Sequence, residues 1–118
     1  MVYFVEFSSR AADLLRQNLY SLGIVQGCQV LQQETTRTIS QLERQQILPD
    51  YIFLDPPYQS HEAYGETLGS LSNSRISEDA VVIAEHQKKF DPGEAFGKLN
   101  RTRKLQQGDA ALSFYRRA

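Results

Sequence analysis

Metal-binding and oxidative chemistry have little to work with in this chain. The single cysteine, Cys28, excludes an intrachain disulfide, and beside only two histidines, His61 and His86, it offers no zinc-ligand spacing; no metal site is expected. No apolar run approaches the length that spans a bilayer, and no basic amino-terminal region is followed by an apolar core. Membrane insertion and secretion are therefore not expected, and a reducing cytoplasm is. Charge of either sign is not in excess: 13 Lys and Arg stand against 14 Asp and Glu, a formal net charge of −1, which gives no global sign of nucleic-acid binding. Glycine-rich turns are missing as well. Gly23, Gly27, Gly65, Gly69, Gly93, Gly97 and Gly108 include no Gly-x-Gly and no strand followed by a glycine-rich turn.

What is present is the pattern of an α/β domain. Met1 to Phe7 is a continuous apolar run, the kind found in buried parallel strands, and Glu6 stands near its carboxyl end. Ser8 or Ser9 then caps a helix whose apolar face is Ala11 or Ala12, Leu15, Leu19 and Leu22, with Gly23 as the stop. Gln29 to Gln32 predicts a short strand, followed by Glu34-Thr35-Thr36 and a helix over Thr36 to Gln46 with Ile39 and Leu42 inward. Tyr51 to Leu54 predicts a strand, Gln59 to Glu62 a polar loop holding His61, and the spacing of Tyr64, Leu68 and Leu71 a helix. Ala80 to Ala84 reads as a buried strand ending in Glu85-His86. Leu99 to Gln106 and Ala110 to Arg116 flank Gly108-Asp109 as an antiparallel hairpin with Leu112 and Phe114 pointing inward. No Pro/Gly/Ser linker divides the chain, so a single domain over residues 1–118 with a mostly parallel sheet is expected.

The motif that carries chemistry is Asp55-Pro56-Pro57-Tyr58, directly after Tyr51 to Leu54. A nucleobase amine is a poor nucleophile because its lone pair is delocalised into the ring. The Asp55 carboxylate and the Pro56 carbonyl can each accept one amine hydrogen, leaving the lone pair aimed at an electrophile. Each proline fixes its own φ and pushes the residue before it out of the helical region, which holds both acceptors stiff. Tyr58 offers a flat face for a base taken out of its stack. The plainer alternative is a rigid proline turn ending a buried strand.

At these residues the chain resembles the class I S-adenosylmethionine-dependent amino-methyltransferases, whose fourth strand ends in Asp/Asn-Pro-Pro-aromatic. The run from Pro49 to Tyr58, the strand Ala80 to Glu85 and the closing Gly108 to Tyr115 narrow the resemblance to the RsmD family, which methylates the exocyclic amine of a guanine in small-subunit ribosomal RNA. The resemblance implies a Rossmann-like sheet with a carboxyl-terminal antiparallel hairpin, S-adenosylmethionine as cofactor, and rRNA or the small ribosomal subunit as partner. Residue by residue, it implies that Asp55, Pro56, Pro57 and Tyr58 form the catalytic motif and that Glu6 holds the cofactor ribose. It places Glu34 and Thr35 beside the adenine. Position at a strand's carboxyl end, together with the family match, favours the ribose role of Glu6 over a plain helix-terminus carboxylate, whereas Glu34 or Thr35 is equally an ordinary helix start.

The likeness covers essentially all of this chain but about the last two thirds of a typical family member, consistent with usual domain lengths. The family's first strand and its glycine-rich turn have no counterpart here, which implies a sheet lacking its first strand and a chain inactive as it stands. Three outcomes are open for the strands that would flank the gap, Val2 to Phe7 and Tyr51 to Leu54: direct pairing, the favoured one; pairing with a second copy in a homodimer; or incomplete folding. A non-catalytic fold remnant or RNA-binding partner is the alternative from another class, and an adenine or cytosine amino-methyltransferase acting on DNA the alternative within the enzymes. The six basic residues between Gly97 and Ala118, against the one acid Asp109, are read either as a phosphate contact or as a solvated strand edge.

Overall fold

The computed structural model describes residues 1–56 and 60–117. These fall into two compact units, residues 1–38 and 39–118; the boundary lies inside a helix, and each unit is described by itself.

The first unit is a β-α-β arrangement. Strand β1 (Val2–Val5) and strand β2 (Cys28–Leu31) pair in parallel, Val2 opposite Cys28 and Val5 opposite Leu31. The connection is helix α1 (Ser9–Ser21). Its start is the expected one: the Ser8 hydroxyl accepts from the Ala11 N–H at 3.3 Å, satisfying one of the donors that every helix leaves open at its first turn. Its end is Gly23, whose φ of +74° is the left-handed conformation that only glycine adopts at little cost. The inner face is narrower than the spacing predicts, since Ala12 is buried but Leu22 is exposed. Helix α2 (Thr35–Arg44) follows, and its first four residues belong to this unit.

The second unit is built on a five-stranded sheet in the order β3-β4-β7-β6-β5: β3 (Tyr51–Leu54), β4 (Val81–Gln87), β5 (Ala95–Phe96), β6 (Leu99–Gln107) and β7 (Ala110–Arg117). Helix α3 (His61–Ser72) and a 3₁₀ turn at Arg75–Ser77 connect β3 to β4. Among the described residues the β1–β2 and β3–β4 ladders are parallel and three further ladders are antiparallel, so the expected mostly parallel sheet is corrected to a mixed one. The physical reason is the tight turn at Gly108, which folds β7 back between β4 and β6. Direct pairing of the flanking strands is also overturned. β1 pairs with β2 and β3 with β4, in separate sheets, and β3 ends its sheet with Tyr51 and Phe53 exposed on one face.

Two further expectations fail for one reason each. His61 and Glu62 are helical rather than loop, because α3 begins a turn earlier than its apolar spacing shows. The buried residues of β7 are Ala111, Ser113 and Tyr115, while Leu112 and Phe114 are only half-buried on the opposite face. A one-residue change of parity sends a strand's whole set of side chains to the other face. The buried face is chosen here by partners: α3 lies against β5 and β6, and its Tyr64, Leu68 and Leu71 join Val82, Ala84, Leu99 and Tyr115 in the core.

A β-bulge in β6 sets the sheet's polar architecture. Arg101 faces Tyr115 and Arg103 faces Phe114, with Thr102 as the extra residue. Without it, Arg101 and Lys104, three apart, would lie on opposite faces. With it, both reach Asp91, at 2.7 and 3.6 Å.

Candidate active site

The sequence-predicted cofactor residues gather at one end of the first unit. β1 and β2 run in parallel, so Glu6, one residue past Val5, and Glu34, three past Leu31, both emerge at the carboxyl end of the ladder, where ligands of open α/β sheets bind. The Glu6 backbone N–H extends the ladder to the Leu31 carbonyl at 3.0 Å. Its half-buried carboxylate accepts from the Ser8 N–H at 3.3 Å, so the strand-to-helix turn holds one oxygen and leaves the other with acceptor capacity. Glu34 occupies the position before α2 and its carbonyl accepts from both the backbone and the hydroxyl of Thr38, at 3.0 and 2.8 Å. The carboxylate of Glu34 and the side chain of Thr35 are exposed. The helix-start reading of Glu34 and Thr35 is therefore present in the geometry, and it does not compete with a ligand role, since it uses the Glu34 carbonyl.

In the second unit, Asp55 and Pro56 stand at the carboxyl end of β3. The last ladder pair is Leu54 with Ala84, so Asp55 leaves the sheet level with Glu85. Asp55 is exposed and Pro56 half-buried. Pro57 and Tyr58 lie outside the described residues. Around this strand end, the Tyr64 hydroxyl donates to the Glu85 carbonyl at 2.7 Å, fixing α3 to β4. Glu85 thus serves the scaffold with its backbone, and its side chain is half-buried.

His86 is fully buried. Its Nδ1 lies 2.9 Å from the Gln87 carbonyl, which can only accept, so Nδ1 carries the proton. Nε2 then accepts from the Ser113 hydroxyl at 2.8 Å, and Ser113 Oγ in turn accepts from Arg101 Nη1 at 3.3 Å. The Asp91 carboxylate takes two N–H bonds from Arg101, and these, with the Gly93 N–H and Lys104, hold its carboxyl well below the usual carboxylate range although partial burial opposes them. The same pairing raises the Arg101 guanidinium further. Burial pushes the Tyr115 phenol up, and its hydroxyl donates to the Gly93 carbonyl at 2.7 Å. The part of this network that brings Arg101 and Lys104 together at Asp91 depends on the bulge, which the sequence does not show.

The basic run divides between the two readings given to it. Arg101 and Lys104 pair with Asp91, and Arg117 donates to Ser77 Oγ at 3.1 Å and to the Ser74 carbonyl. Lys98, Arg103 and Arg116 are exposed. Among the described residues no group of His, Cys, Asp and Glu could hold a metal ion, and no helix is long and apolar enough to cross a membrane.

The family described as Conserved hypothetical protein 95 matches residues 1–116. The chain belongs to this family, which is the RsmD family of the sequence resemblance. A relative in Bacillus subtilis (strain 168), YlbH, named as a candidate rRNA methyltransferase, is 25% identical over 97% of this chain, which spans 62% of that protein's length. Among solved structures, a conserved hypothetical protein from Streptococcus pyogenes is 22% identical with a TM-score of 0.76, covering 98% of this chain and 71% of its own. A candidate methyltransferase complexed with SAH is 13% identical with a TM-score of 0.68, covering 98% and 39%. At these identities the structures speak for the fold alone: the α/β elements and mixed sheet of this chain fit a Rossmann-like fold.

Proposed function

We propose, against the inactivity that the missing glycine-rich turn implies, that this chain is a methyltransferase that transfers the methyl group of S-adenosylmethionine to the exocyclic amine of a guanine in small-subunit rRNA. The observation that carries the reading is the placement of Asp55 and Pro56 at the carboxyl end of β3, level with Glu85, in a chain of this family. The relatives named as an rRNA methyltransferase and as a methyltransferase complexed with SAH support the reaction class and the cofactor. The family match, unbroken from residue 1 to 116, supports taking both units as one methyltransferase domain.

Adenosine fits the donor set of the first unit. Glu6 presents a carboxylate oxygen with spare acceptor capacity at a strand end, suited to ribose hydroxyls, and Glu34 with Thr35 presents acceptors on the neighbouring strand end, suited to an adenine edge. When bound, S-adenosylmethionine supplies the electrophilic methyl group. The rest falls to positioning. The Asp55 carboxylate and Pro56 carbonyl each accept one amine hydrogen and orient the nitrogen lone pair; Pro57 stiffens the turn; Tyr58 stacks the base. The Asp55 carboxylate is also an acceptor for the proton that the nitrogen sheds on methylation.

The partner in this reading is rRNA or the small ribosomal subunit, met in the cytoplasm. The open edge of β3 also leaves pairing with a second copy as a route to a homodimer, which sedimentation analysis tests. The test of the function is methyl transfer from labelled S-adenosylmethionine to small-subunit RNA, followed by nucleoside analysis. N2-methylguanine formed by the wild type, and reduced on the order of 100-fold or more in Asp55→Ala, is the expected result. Product on another base, or equal product from the variant, contradicts it.

A further inference from the structure

The ring of His61, the first residue of α3, stacks on the ring of Phe90 with centroids 3.9 Å apart and planes 6° apart. Parallel, close stacking of an exposed imidazole is a built arrangement, because the ring beneath it is itself braced. Phe90 meets Tyr64 at 5.3 Å, and Tyr64 is buried with its hydroxyl fixed to the Glu85 carbonyl. The Phe90 N–H closes a turn onto the Gln87 carbonyl at 3.1 Å, and the preceding Lys88 N–H is tied to the Asp109 carbonyl at 2.8 Å. His61 is exposed, as are Lys88 and Lys89 on that turn. Beside the imidazole, Ser60, Glu62, Ala63 and Glu66 join His61 in lining an open cavity of about 600 Å³.

We infer that His61 is a base-stacking residue for single-stranded RNA: the nucleotide next to the methylated one lays its base on the face of the exposed imidazole turned away from Phe90, within this cavity. The inference rests on the proposed function and adds to it a contact outside the Asp-Pro-Pro-Tyr motif. One face of His61 is occupied by Phe90 and the ring is solvent-exposed, which is the geometry of a platform with room for one more flat ring. A rigid platform binds better than a mobile side chain because no rotamer freedom is lost on binding. Glu62 and Glu66 on the cavity wall disfavour a phosphate there and accept hydrogen bonds from base N–H groups. The phosphates are met instead by Lys88 and Lys89 on the turn that carries Phe90. His61 is three residues beyond Tyr58 in the sequence, which suits it to a neighbour of the target base.

The experiment uses the full chain and a short single-stranded RNA carrying 2-aminopurine next to a guanine, read by fluorescence quenching and by anisotropy. The expected result is quenching by the wild type, an affinity loss of about tenfold with loss of quenching in His61→Ala, and recovery to within about twofold in His61→Phe, as for a sequence-tolerant stack. Phe90→Ala is expected to weaken binding in the same direction. Because His61 is exposed, circular dichroism is expected to be unchanged in His61→Ala. Methyl transfer by the wild type, assayed in parallel, separates this inference from the function: product from the wild type together with wild-type binding and quenching by His61→Ala overturns the inference alone, whereas absence of product with loss of quenching in His61→Ala overturns the function alone. Wild-type protein that does not bind the RNA, or His61→Ala that binds and quenches like wild type, overturns the inference.

Discussion

Arg101 grips Asp91 with two N–H bonds of 2.7 and 3.1 Å, joining the loop after β4 to the bulge of β6. Arg101 is largely buried and Asp91 half-exposed, so water screens the pair and its contribution to stability is modest. The sign of its pH dependence is fixed. The folded Asp91 carboxyl titrates below its unfolded value, so its stabilisation is complete above about pH 4 and is lost as pH falls through the folded value. Urea unfolding is therefore expected to show Asp91→Asn less stable than wild type by a constant margin from pH 7 to 5, and by a shrinking margin below pH 4. A margin equal at pH 7 and pH 3 would count against this pairing.

The Ser113 hydroxyl is the donor to the buried Nε2 of His86. Ser113→Ala removes that donor and leaves an acceptor without a partner inside the protein. The expected loss is about 1–3 kcal/mol in urea unfolding. Leu112→Ala on the neighbouring position tests the corrected parity of β7, since its side chain is half-buried on the opposite face and leaves the His86 bond intact.

Gly97 has φ of +55°, and a Cβ there would lie 2.8 Å from the Oγ of buried Ser72. Gly97→Ala is expected to destabilise by at least the left-handed cost of about 1–2 kcal/mol. Adding Ser72→Ala is expected to recover only the part due to the clash, because the backbone strain remains. Full recovery in the double variant would show that strain at this turn is negligible.

The parts of this structure that local chemistry decides were readable in advance. Ser8 caps α1, Gly23 ends it, the turn at Gly108 closes the β6–β7 hairpin, and Asp55 stands where an apolar strand stops. The parts decided by distant partners were not. Leu112 and Phe114 are the larger apolar residues of β7, yet Ser113 and Tyr115 are buried, because His86, Arg101 and Gly93 wait for them on that face. The bulge at Thr102 leaves no mark in an alternation of charged residues, and so the Asp91 pair could not be read. His61 looked like a loop histidine because the stacking partner, Phe90, is 29 residues away, on the far side of a strand. In each unit by itself, the strand-end positions were legible, Glu6 and Glu34 in the first and Asp55 in the second, since each follows an apolar run directly or within a few residues.

In the proposed function labour is divided: Glu6 holds the cofactor, and Asp55 holds the amine. Calorimetric titration of the folded 118-residue chain with S-adenosylmethionine separates the two roles. Saturable binding by the wild type, loss of binding in Glu6→Ala and unchanged binding in Asp55→Ala are the expected results. No binding by a folded wild-type sample, or equal binding by Glu6→Ala, would contradict this division.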